Sequence, residues 1–179
     1  MKKKRLSHGM IQVYTGNGKG KTTAALGLAV RAAGYGYKTF MIQFMKGNIE
    51  YGELETAKKL TPYLTIRQMG RGHLVSRKKI DSEDIKLAQE AMALARSVIS
   101  GRKYDIVVLD EINVAVEFGL IHKEEVLKLM DERPSNVELI LTGRYAAQEM
   151  IERADLVTEM AEIKHYYQRG VQSRVGIER

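Results

Sequence analysis

Cysteine is absent from the 179-residue sequence. That excludes disulfides, thiolate metal ligands and a cysteine nucleophile, and it fits a reducing compartment. Long apolar runs are absent as well, since none approaches the ~18 residues needed to span a bilayer. The opening MKKKR is followed by no apolar stretch of secretory type, so a cytoplasmic protein without a membrane partner is expected. Neither an internal repeat nor a linker divides the chain, and at this length ~70% of the surface of the unfolded chain can be buried. Residues 1–179 read as one domain, with a basic tail over 1–9 and a second tail over 164–179. Proline is scarce: Pro62 introduces a short strand, and Pro134 stops a helix because the residue before a proline is pushed out of helical geometry.

The formal net charge of +7 raises the question of a nucleic-acid partner, and the placement of the charges answers it. Residues 2–5 carry four positive charges, residues 67–79 carry five, and residues 164–179 carry three net, so the remaining chain is net negative. Basic loops and tails fit a small polyanionic ligand, whereas a Lys/Arg stripe along one helix would favour a duplex. No nucleic-acid partner is expected.

The stretch MIQVYTGNGKGKTT, residues 10–23, is where an apolar run breaks into glycines, lysines and threonines. Residues 10–14 have strand composition, and a helix is expected from Thr22. Between them, backbone N–H groups from Asn17 to Thr22 are expected to turn inward on an anion, with Gly16, Gly18 and Gly20 placing no Cβ in the way. Lys21 adds a charge, the helix N-terminus adds roughly +0.5, and Thr22 places a hydroxyl toward Mg²⁺. Against the phosphate-loop pattern G-x-x-x-x-G-K-[ST], Gly20, Lys21 and Thr22 match and Thr15 replaces the first glycine.

Further along, residues 38–44 form a near-continuous apolar strand interrupted by Gln43, as a strand covered on both faces would. The glycine-punctuated segment MKGNIEYGE follows at the strand's carboxyl end, with Lys46 and Glu53 as candidate contacts and a solvated loop as the alternative. After a strand over 64–69, GRGHLVSRKK lacks periodicity and reads as a mobile active-site loop; His73 has no partner at metal-ligand spacing. A helix capped by Asp81 buries Ile85, Ala88, Met92, Ala95 and Ile99. YDIVVLDE, residues 104–111, delivers Asp110 and Glu111 at the end of a buried strand, a Walker B pattern in which one carboxylate serves Mg²⁺ and the other orients water or a loop. A helix over 120–130, a strand over 136–142 ending in Thr142-Gly143-Arg144, a helix near 146–153 and a strand over 156–163 complete the series. Arg144 is either a phosphate or ribose contact or a surface arginine. The tail KHYYQRGVQSRVGIER, with two tyrosines and three arginines, does not read as a disordered appendage.

This order gives an α/β fold: a doubly wound, mainly parallel sheet with helices on both faces, of the P-loop NTPase, RecA-like type. Fold alone does not fix a reaction. A phosphotransferase or ATPase acting on a small molecule, a RecA-like nucleic-acid-stimulated ATPase and a nucleotide-binding regulator all stay open at this point.

TGNGKGKTTAALGLAVRAAG, including its leading threonine, resembles the phosphate loop of the ATP:corrinoid adenosyltransferases. QFMKG followed by GE, VVLDE, RP before the fifth strand, LTGR and KHYYQRGVQSRVGIE are similar to that family's later blocks, in the same order. The resemblance implies transfer of the 5′-deoxyadenosyl group of ATP to Co(I) of a reduced corrinoid, with tripolyphosphate as leaving group, in adenosylcobalamin biosynthesis or salvage. It implies that Lys19, Lys21 and Glu111 serve catalysis by holding the triphosphate, with Mg²⁺ on Thr22 and Glu111 and Asp110 behind them. Thr15, Gly16, Asn17, Gly18, Gly20, Thr23, Gln43, Lys46 and Arg144 complete the expected nucleotide site. A homodimer and an electron donor such as a reduced flavin or flavodoxin are implied too. Where the family often carries an aromatic GFTW-like motif, this chain reads Gly70-Arg71-Gly72-His73, so that Arg71 or His73 becomes the expected contact to the corrinoid periphery. Nine residues precede Met10, so no lid built from a longer N-terminal helix is expected.

Overall fold

In the computed structural model, which describes residues 5–47, 50–72, 75–77 and 79–178, the fold is built from six strands and six α-helices. In chain order they are β1 (Ile11–Thr15), α1 (Lys21–Gly34), β2 (Thr39–Phe44), α2 (Gly52–Lys59), β3 (Leu64–Met69), α3 (Ser82–Ser100), β4 (Ile106–Asp110), α4 (Ile112–Glu117), α5 (Lys123–Glu132), β5 (Glu138–Thr142), α6 (Gln148–Arg153) and β6 (Leu156–Glu159). All strand pairings are parallel, in the order β3-β2-β4-β5-β1-β6.

The strand sequences explain their places. Every residue of β2 and β4 is buried, as continuous apolar runs in the middle of a sheet covered on both sides should be. Successive residues then serve opposite faces. Phe40, Ile42, Val107, Leu109, Leu139 and Leu141 pack with α3 to α6, while Met41, Val108 and Ile140 pack with α1. Ala25, Ala29 and Ala32 bring α1 close to the sheet, as its small residues predict. At the edge, all four residues of β6 are exposed.

Two helices were not expected: α2 starts at the last two residues of the glycine-punctuated segment 45–53 and runs on to Lys59, and α4 follows β4 after a single residue. The last strand stops at Glu159, short of the expected 163: residues 161–164 are exposed and pair with no strand among the described residues. Asp81 caps α3 as expected, accepting from the N–H groups of Glu83 and Asp84 in a reciprocal capping box. Ile85, however, is 43% exposed. Asp84 takes the inward place in that first turn because its carboxylate accepts from Asp81 N–H and from the Arg71 guanidinium at 2.8 and 2.9 Å.

For the site, the decisive feature is the strand order. β5 separates the phosphate-loop strand β1 from the acidic strand β4, with Thr142 beside Tyr14 and Leu141 beside Leu109 in register. The carboxyl ends of β1, β5, β4 and β2 therefore open on one crevice, the place where parallel sheets bind ligands.

Candidate functional site

That crevice is a cleft of about 770 Å³ lined by the phosphate loop from Asn17 to Thr23, by Lys46, Tyr51 and Glu53, by Glu111 and Arg144, and by His165 and residues 176–178. Leu26, Val30, Thr56 and Leu64 extend it as a more apolar strip between α1 and α2.

The loop begins one residue later than the usual pattern, and the backbone explains it. Thr15 is still a strand residue paired with Glu159. Its Oγ1 accepts from Ala146 N–H at 3.3 Å, so the threonine holds the start of the chain after β5. The left-handed turn falls on Gly16, φ +91°, and again on Gly20, φ +124°. Gly16 and Gly18 are closed in by the chain itself: a Cβ on either would lie 2.5 to 2.7 Å from the carbonyl oxygen of Met160. Gly18 N–H donates to that oxygen at 2.6 Å. The expectation that these glycines clear the way for an anion is corrected on this side, because Met160 and Ala161 fill the space. Lys21, 8% exposed, donates from Nζ to Gly16 O and Gly18 O at 2.7 Å each. Burial pushes its ammonium below the ordinary range, with Arg144 adding to that and Glu111 and Asp110 opposing it.

Behind the loop, Asp110 is fully buried and fully used. Oδ1 accepts from Thr22 Oγ1 at 2.8 Å and from Thr142 Oγ1 at 2.7 Å, while Oδ2 pairs with Lys46 Nζ at 2.8 Å. Burial alone would lower the Lys46 ammonium; Asp110, through charge and hydrogen bond, together with Glu111 holds it above the ordinary range. Lys46 also lies 5.5 Å from the Tyr51 ring centroid. Glu111 takes the other role. Its φ of +64° turns the chain sharply from β4 into α4 at a backbone cost of roughly 1–2 kcal/mol, and its N–H donates to Thr142 Oγ1 at 3.1 Å. The side chain faces the cleft, in space kept open by Gly143, where a Cβ would meet Glu111 Oε2 at 3.3 Å. Burial and the neighbouring Asp110 hold its carboxyl above the usual range, against Lys46, Lys21 and Arg144.

Asn17, Gly18, Lys19, Gly20, Lys21, Thr22, Thr23, Lys46, Glu111 and Arg144 thus come together on one cleft, and Glu53 joins them. Thr15, Gly16 and Gln43 do not line it, and Asp110 lies behind it. Gln43 is fully buried and links Gln68 (3.3 Å) to Glu53 (3.0 Å), so it orients a lining residue. Arg71 is committed to Asp81 and Asp84, a pairing that ties the chain after β3 to the start of α3. Arg71 does not line the cleft, and His73 lies outside the described residues, as does part of the segment expected to be mobile. Tyr51 carries no sequence pattern of its own; Thr142 and the tail residues of the cleft stand in the LTGR and KHYYQRGVQSRVGIE blocks, and the register of β5 between β1 and β4 gives Thr142 its place beside Asp110.

A divalent cation fits this donor set in one manner. Among the described residues no cluster of three or more His, Cys, Asp or Glu forms a protein-only metal cage. Mg²⁺ is commonly held by one or two side-chain oxygens plus substrate phosphates, which is what Thr22 and Glu111 beside a triphosphate would offer. Among the described residues no helix is long and apolar enough to cross a membrane.

Comparison with known proteins gives one consistent result. The family model described as ATP:corrinoid adenosyltransferase BtuR/CobO/CobP matches residues 7–179. A corrinoid adenosyltransferase of Pseudomonas aeruginosa is 34% identical over 174 residues, covering 97% of this chain and 85% of its own. That of Escherichia coli strain K12 is 36% identical over 171 residues, 95% of this chain and 85% of its own. Among solved structures, a KaiC-like protein from Pyrococcus horikoshii superposes with a TM-score of 0.55 at 18% identity, over 88% of this chain and 74% of that one. At that identity the likeness concerns the fold alone.

Proposed function

The chain belongs to the ATP:corrinoid adenosyltransferase family, and from that premise we propose that its cleft holds the triphosphate of ATP through Lys19, Lys21, Arg144 and the first-turn N–H groups of α1 while C5′ is presented to a reduced corrinoid. The observation that carries this assignment is the convergence of those three cations with Glu111 and Thr22 on one cleft at the carboxyl edge of the sheet.

In the reaction, the cobalt(I) electron pair of the corrinoid substrate forms the Co–C5′ bond as the C5′–O bond breaks, and that bonding pair leaves on tripolyphosphate. No side-chain nucleophile is needed, so the chain's part is to position the substrates and to stabilise charge. Lys21 and the N-terminus of α1 face the oxygens on which negative charge develops. Lys19 and Arg144 hold the outer oxygens, and Lys46, kept on Asp110, fixes the acidic strand against the loop. Mg²⁺ on Thr22 and Glu111 would neutralise phosphate charge when bound. Asp110 orients Thr22 from behind.

We also place the protein in the cytoplasm, as one domain acting as a homodimer supplied with electrons by a reduced flavin or flavodoxin. The lack of cysteine supports a reducing compartment. Incubation with ATP, Mg²⁺ and chemically reduced corrinoid tests the assignment: tripolyphosphate and a light-sensitive cobalt–carbon product are expected in equal amounts. Release of only ADP or orthophosphate would overturn it and favour a phosphotransferase or ATPase.

A further inference from the structure

The C-terminal segment is exposed at most positions and contains no buried residue among those described, yet polar contacts close it on itself. Glu178 accepts from the Arg174 backbone N–H at 2.8 Å, from its guanidinium at 3.0 and 3.2 Å, and from the Tyr166 hydroxyl. The Arg174 guanidinium lies 4.8 Å from the Tyr166 ring centroid. This closed segment rests on the phosphate loop, where Lys19 Nζ donates to Ile177 O at 3.5 Å. Glu178, which would otherwise repel a polyanion from the cleft it lines, has its charge matched by Arg174.

His165 lies at the mouth of that segment and lines the same cleft. Its Nδ1 accepts from Tyr167 N–H at 3.1 Å, and its ring stands 4.7 Å from that of Tyr166. An accepting Nδ1 fixes the neutral tautomer with the proton on Nε2. No hydrogen bond found among the described residues uses Nε2. The cleft thus has, among its lining residues, an imidazole held from its Nδ1 side with an N–H donor at Nε2.

We propose that His165 is a further nucleotide-binding residue, donating from Nε2 to a phosphate oxygen of the triphosphate. This role rests on the reading of the cleft as the triphosphate site. Lysines and arginine supply charge there; a neutral donor held by two neighbours supplies position, because its hydrogen bond is lost when the anion shifts by a fraction of an ångström.

Calorimetric titration of the full chain with inorganic tripolyphosphate and Mg²⁺ tests it. Wild type is expected to bind, and His165→Ala to bind roughly tenfold more weakly. His165→Gln, whose amide nitrogen reaches the place of Nε2, is expected to recover most of that loss, and His165→Asn, whose amide falls near Nδ1, is not. Equal affinity of wild type and His165→Ala, or of the Gln and Asn variants, overturns the role of His165. A wild type that binds tripolyphosphate no better than Lys21→Ala overturns the triphosphate reading of the cleft, and the role of His165 with it.

Discussion

Along one wall of the cleft Asp110 is fully buried, accepting from Thr22 and Thr142 and pairing with Lys46; along the other, Glu178 accepts from Arg174 and Tyr166 on a segment without buried residues. Both carboxylates organise cations near the same ligand space, but their contacts are of different worth. A buried ion pair is coupled to the fold, because removing one partner strands the other. An exposed pair, competing with water and salt, orders its own segment and little else. Breaking the buried pair should therefore move stability and binding together, and breaking the exposed pair should move binding or local order alone.

The largest effect is expected from Asp110→Asn. It leaves Lys46 without its counter-charge and weakens the bonds from Thr22 and Thr142, and denaturant melts should show a loss of about 3 kcal/mol, the low end for a buried pair because Lys46 can turn outward. Stability within about 0.5 kcal/mol of wild type, the range of ordinary surface changes, would erase the contrast between the walls.

Next comes Lys21→Ala. Burial already pushes this ammonium below its ordinary range, so the fold should lose little, while ATP affinity measured by calorimetry should fall on the order of a hundredfold. Unchanged affinity would remove the loop from the ligand site.

Glu111→Gln should part the two quantities in opposite directions. The carboxyl is held above its ordinary value of 4.5 by burial and by Asp110, so its contribution is complete below the unfolded-state value and is lost as pH rises through the folded-state one. Near neutral pH the neutral amide should then raise the melting temperature, with the gain fading as the pH is lowered toward 4.5. Magnesium-dependent turnover should disappear while ATP still binds. A variant less stable than wild type at pH 7 would contradict the strain assigned to this carboxylate.

The smallest effect belongs to Glu178→Gln. The wild-type carboxyl is lowered to about 2 by Arg174 first and Tyr166 second, so its contribution is present above 4.5 and lost only as pH falls through about 2. Pepsin digestion at about pH 3 should cleave the variant within residues 165–178 faster than wild type, with melting temperature scarcely moved.

The same contrast marks what the sequence discloses. β3 is legible to the residue, and the capping of α3 by Asp81 is readable from local chemistry alone. Gly20, Lys21, Thr22, Asp110 and Glu111 announce the first wall because each stands in a short motif with a fixed chemical reason. What escapes is set by contacts between distant segments. Lys46 reads equally well as a solvated lysine until parallel pairing of β2 and β4 sets Gln43 beside Asp110. α4 escapes because nothing local marks Glu111 as the left-handed hinge that lets a helix start one residue after a strand. Ile85 misleads because the apolar periodicity ignores the polar demand on Asp84. The second wall stands in the family-like block KHYYQRGVQSRVGIE, but no local chemistry in that block assigns its residues a task, since their value lies in where the chain returns.

It returns against glycines. With the carbonyl of Met160 packed where a Cβ of Gly16 or Gly18 would be, the phosphate loop has its own chain as a floor, supplied by the residues that directly follow the strand contributing least to the core. The segment just past β6 is in this sense a mechanical stop. Cutting the chain just before residue 160 would leave the apolar core of the sheet intact and unseat the loop, so that a shorter protein would melt normally and grip phosphate poorly.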